Sequence, residues 1–105
     1  MADQTGDTPV LDLLATMTAA SLDATNLNGR ELALVRIGAL VAVGAPPASY
    51  LLNLGTAGEL GVDVDDVQGV LAAVAPIAGT PRVVAAAGNM ARALGLALDI
   101  ADDTE

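Results

Sequence analysis

No Cys and no His occur among the 105 residues, so chemistry falls to thirteen acids, four Arg, one Tyr and the neutral hydroxyls and amides. That removes a thiolate nucleophile, disulfide exchange and the imidazole proton shuttle. It also removes the preferred zinc ligands. What is left is a carboxylate acting as general acid or base beside a hydrogen-bond donor. Two donors stand out. Tyr50 is the only aromatic residue, suited either to hydrogen bonding in a cavity or to packing with its hydroxyl at the surface. Arg36 sits between Leu34, Val35 and Ile37; buried without a partner it would cost several kcal/mol, so it needs an acid across an interface or a place in a pocket wall. Ser49 has neither His nor Lys to activate it and is a poor nucleophile. The run Asp63-Val64-Asp65-Asp66 lacks the twelve-residue spacing and terminal Glu of a calcium loop, and reads as the acidic first turn of a helix. No phosphate-binding glycine loop with Lys is present. These residues call for no cofactor and no metal.

The elements that must position these groups are helical. Hydrophobic residues are 53% of the chain, nearly all Ala, Leu, Val and Ile, which suits close helix–helix contact better than a sheet sandwich. Thr8-Pro9 opens a first helix running to about Ala20 or Leu22. Asn28 and Glu31 form a capping-box pair for a second helix ending at Val43, with Gly44 as its stop. That helix is apolar on nearly every face, as expected of a central or interface element. A third helix starts at Pro46 or Pro47 and runs to about Leu60. Asp63 caps a fourth, expected to stop near Pro76, and Thr80-Pro81 opens a fifth that reaches about Asp99. The expectation is an all-α bundle of about five helices in one domain over 9–100. A disordered arm over 1–8 and a disordered tail over 101–105 flank it. Gly55, Gly58 and Gly61, and Gly88 with Gly95, predict close backbone approach, because each helical Gly costs about 1 kcal/mol relative to Ala.

Composition also bounds the partners. A formal net charge of −9 with no Lys repels phosphate backbones and anionic bilayers, so neither nucleic acid nor membrane is expected. Residues 32–54 are long enough to span a bilayer, but Arg36 and Pro46-Pro47 interrupt them. The polar, acidic N-terminus does not resemble a signal peptide, which makes the cytoplasm the default. A chain this apolar is expected to expose hydrophobic surface as a monomer and to cover it by homo-oligomerisation.

From Asn28 to about residue 95 the pattern resembles the carboxymuconolactone decarboxylase family, which includes the AhpD-type alkylhydroperoxidases. The resemblance rests on Arg30-Glu31-Leu32 opening an apolar helix and on Asn53-x-x-x-Ala57-x-x-x-Gly61-Val62. It continues with Asp65-Asp66 opening the next helix and with Gly79-Thr80-Pro81 before the last. It implies an AhpD-like helical fold assembled as trimers or hexamers. It also implies that the Cys-x-x-Cys-x-x-x-His stretch of the thiol members falls on Pro46, Ser49 and Asn53, none of which keeps the family residue. Thiol peroxidase chemistry is therefore excluded, and Asn53 cannot replace the lost histidine as a base. Glu31 matches a helix-opening glutamate of the family's proton relay; its other reading is the helix cap.

Two functions follow. The first is a non-catalytic oligomeric scaffold or binding module of this fold, taking a small apolar ligand or a protein partner. The second is a lyase or isomerase of altered chemistry, with Glu31 as acid/base and Tyr50, Asn53, Ser49 or Arg36 lining the site. A hetero-complex whose partner brings the missing Cys or His is a third possibility.

Overall fold

Five helices form where the chain supplies starts and stops, in the computed structural model that describes residues 8–103. They are α1 (Pro9–Ala24), α2 (Gly29–Val43), α3 (Pro47–Glu59), α4 (Val64–Ala78) and α5 (Thr80–Asp103). The described residues contain no strand, so the fold is all-α. The expected arm at 1–7 and the last two tail residues lie outside the described residues. Helix α5 continues through 101–103, past the end expected near Asp99.

Local chemistry accounts for most boundaries. Pro9 at the first position of α1 has the backbone torsion a helix needs. Thr8 does not cap through its side chain; its hydroxyl instead donates 3.4 Å to Asp12 Oδ1. Asn28 caps α2 through a complete box: its Oδ1 accepts from the Glu31 N–H at 2.8 Å, and Glu31 Oε1 accepts from the Asn28 N–H at 3.0 Å. Gly44 ends α2 in the left-handed region at φ 72°, where its N–H and that of Ala45 reach back to Val41 and Leu40 carbonyls. A Cβ on Gly44 would lie 3.1 Å from Arg82 Nη1, so this guanidinium sits at the negative end of the α2 dipole.

Helix α4 departs from expectation. It runs through Pro76 to Ala78 instead of stopping. Pro76 removes only one hydrogen bond, and it does so in the last turn, where few bonds follow. The helix ends at Gly79, with φ 90°.

Helix α2 is the hub, packed against α3, α4 and α5, while α5 also packs on α3 and α4. The core has two connected parts. Val41, Ala45, Tyr50, Ala86 and Ala93 form one, and Ala33, Ile37, Ala57 and Val62 form the other. Leu54 and Met90 pack against both. Small side chains let the helices approach closely: a Cβ added at Gly38 on α2 would stand 3.2 Å from Val74 on α4. The close approach expected at Gly55, Gly58, Gly61 and Gly95 is absent, since a Cβ at any of them meets nothing within 4 Å. At Gly88 it meets only the flexible end of Arg92, at 3.8 Å. The glycines of α3 face outward from the single chain.

Helix α1 stands apart. It buries no residue and packs closely on none of the other four helices. A side-chain hydrogen bond joins it to α2, Arg36 Nη2 donating to Ser21 Oγ at 3.0 Å. The radius of gyration is 15.3 Å. No helix of the described residues is long and apolar enough to cross a membrane.

Candidate functional site: the α1–α2–α3 groove

An open groove of about 830 Å³ lies between α1, α2 and α3. Leu14, Met17 and Leu22 supply one wall, Leu32 and Leu40 the floor, and Leu52 and Leu60 the other wall. Its polar lining consists of Arg36, Asn53, Thr18 and Thr56. No carboxylate lines it. A groove of this kind can hold an apolar surface; it has no group able to abstract a proton from a substrate.

The candidate residues separate in space. Arg36 and Asn53 meet in this groove. Arg36 is held by Ser21, its Nη2 donating to the hydroxyl across the groove. The partner it needs is therefore a hydroxyl of α1 instead of an acid. Asn53 Nδ2 donates 2.9 Å to the Ser49 carbonyl one turn earlier. Ser49 is half-buried and lines neither groove.

Glu31 lies on the exposed first turn of α2, with its carboxylate committed to the Asn28 N–H. It lines neither groove. The cap is thus the role its geometry provides. Asn28→Ala is expected to lower stability by about 1 kcal/mol. Glu31→Gln, which can fill the same place in the box, should leave the thermal midpoint nearly unchanged. Circular dichroism melts of the two variants decide this.

Tyr50 is fully buried in the larger core part, away from both grooves. Its hydroxyl has no hydrogen-bond partner among the described residues, and burial pushes its pKa above the ordinary tyrosine value. Neither a surface hydroxyl nor a cavity donor describes it; it is core volume.

A second, shallower groove of about 630 Å³ lies between α2 and α4. Its rim carries the ion pair Arg30 Nη2–Asp66 Oδ1 at 2.8 Å. Asp63 and Asp66 form the capping box of α4, with bonds of 2.9 and 3.1 Å, so the acidic run is a helix start. The Asp63 backbone N–H holds the Asp66 carboxyl below its usual pKa, with Arg30 adding to the effect. A depressed carboxylate contributes stability above its unfolded pKa, and that contribution is lost as pH falls through the folded value. Thermal midpoints measured from pH 6 down to pH 2 should therefore fall less steeply for Asp66→Asn than for the parent chain.

One polar residue escaped the sequence reading. Asn89 Nδ2 donates 3.2 Å to the Ala45 carbonyl, tying the α2–α3 turn to α5, while its Oδ1 accepts from Arg92 at 2.9 Å. A lone Asn within an Ala-rich helix gives no sequence signal of such a long-range bond. Compared with family models, curated proteins and solved structures, the chain matches none of them.

Proposed function

We propose that this chain is a non-catalytic, homo-oligomeric helical scaffold of the carboxymuconolactone decarboxylase-like type, acting in the cytoplasm. The observation that carries the reading is the groove: large, apolar, open, and without any acid or base in its lining. Three further features support it. Cys and His are missing from the whole chain. Glu31, the carboxylate that the resemblance places in the family's proton relay, serves as a cap. Large aliphatic side chains on α1 and α3 are exposed in the single chain, among them Val10 at 66% and Leu52 at 74%. Surface of this kind on a protein is covered by association.

Light scattering on the purified full chain across a wide concentration range tests the proposal. A mass that is a whole-number multiple of the 10.4 kDa chain is expected. A 10.4 kDa particle at every concentration would remove the scaffold reading.

A further inference from the structure

We propose that Asn28-Gly29, at the start of α2, is a site of spontaneous covalent modification gated by the capping box: when the box opens, Asn28 loses ammonia and becomes aspartate or isoaspartate. This goes beyond the scaffold reading and does not depend on it.

The pair joins a labile side chain to an unobstructed nucleophile. Asn is among the thermolabile residues, because its side-chain amide is open to attack by the backbone nitrogen of the next residue. Asn28 alone among the asparagines precedes Gly; Asn26 and Asn53 precede Leu, and Asn89 precedes Met. A following residue without a Cβ lets its backbone approach closely. Both residues of the pair are exposed, and the Gly29 N–H is one of the first-turn donors that a helix leaves without an intrahelical acceptor. Asn53 and Asn89 instead lie inside α3 and α5, with their side-chain amides donating to the Ser49 and Ala45 carbonyls. Packing explains why a Gly stands here at all: a Cβ on Gly29 would lie 3.1 Å from Leu60 Cδ2.

The chemistry needs only water. The Gly29 nitrogen bonds to Asn28 Cγ, its proton passes to the side-chain amide nitrogen, and ammonia leaves, closing a succinimide. Water then adds to either ring carbonyl. Addition at Cγ breaks the Cγ–N bond and gives aspartate. Addition at the Asn28 backbone carbonyl carbon breaks its bond to nitrogen and gives isoaspartate.

The capping box restrains the first step. Ring closure requires the Asn28–Gly29 peptide to rotate over the side chain, away from the extended ψ of 172° found at the cap. Two bonds oppose that rotation: Glu31 N–H to Asn28 Oδ1 at 2.8 Å, and Asn28 N–H to Glu31 Oε1 at 3.0 Å. The two products then differ. Aspartate caps as well as Asn and adds negative charge at the positive end of the α2 dipole. Isoaspartate routes the main chain through Cγ, which inserts a methylene before the first turn and prevents the box from reforming.

Mass spectrometry of the full chain, held at mildly alkaline pH and then cut with trypsin after Arg30, follows the exchange of amide for acid at each Asn. Three samples are compared: folded parent, folded Glu31→Ala, and parent unfolded in urea. Loss of ammonia at Asn28 is expected to be slowest in the folded parent, about threefold faster in Glu31→Ala, and fastest in urea. Equal rates in the folded parent and in urea would overturn the gate, and settle the matter even if Glu31→Ala proves unfolded by circular dichroism. Conversion at Asn26, Asn53 or Asn89 outpacing Asn28 in urea would overturn the site. Asn28→Asp is expected to keep the thermal midpoint of the parent; a drop matching that of Asn28→Ala would overturn the retained cap.

Discussion

Tyr50→Ala lowers the unfolding free energy by about 3–5 kcal/mol, whereas Tyr50→Phe leaves it unchanged or raises it by about 1 kcal/mol. The contrast follows from the position of the side chain. Tyr50 is fully buried among Val41, Ala45, Ala86 and Ala93. Its fully buried neighbours are Val41 and three alanines, and the surrounding structure relaxes only partly into the space its ring would leave. The hydroxyl makes no hydrogen bond, so removing it relieves a desolvated polar group at no cost in packing. Urea unfolding of the two variants measures both effects. If Phe lost more than about 1 kcal/mol, the hydroxyl would be a bonded, structural group.

The same residue gives an alkaline readout. Its folded pKa is raised by burial, so its contribution is fully present below the ordinary tyrosine pKa. It is lost as pH rises toward the folded value, because the unfolded chain ionises first. With one tyrosine in the chain, the ultraviolet band of tyrosinate reports this site alone. It should appear together with unfolding, and the alkaline loss of stability should be absent in Tyr50→Phe.

Ile37→Ala is the second large effect, a loss of about 2–5 kcal/mol at any protein concentration. Ile37 is fully buried at the centre of the hub helix, in the cluster with Ala33, Ala57 and Val62. Leu11→Ala on α1 should behave differently. A residue 63% exposed in the single chain contributes within about 0.5 kcal/mol to the fold of that chain. On the proposed scaffold reading its effect is expected to enter through assembly, so that its apparent cost grows with the protein concentration that drives association. A concentration-independent loss as large as that of Ile37→Ala would make α1 part of the core of its own chain.

Those two residues also show how far the sequence could be read. The helix starts were legible because each depends on neighbours in sequence: Asn28 with Glu31, Asp63 with Asp66, and Thr8 with Pro9. Gly44 marked the stop of α2 for the same local reason. The central place of α2 followed from its apolar faces. What failed depended on three-dimensional context. Pro76 signals a stop, yet one missing bond near a helix end is tolerated. Gly55 and Gly58 suggested close packing, but which face of α3 turns inward is set by Tyr50 and Ala57, and these glycines lie on the outer side. Tyr50 itself was read as surface or cavity because nothing nearby in sequence marks it as core. The candidate site was legible only in part: Arg36 and Asn53 do share a groove, while the detachment of α1 that opens it depends on packing that no local pattern encodes.

Native mass spectrometry of the purified full chain tests the central claim most directly, since one spectrum reports both subunit number and bound mass. The scaffold account predicts a discrete homo-oligomer whose mass is a whole-number multiple of the bare chain. A single chain carrying a discrete additional mass would contradict it, and would make the groove a ligand site.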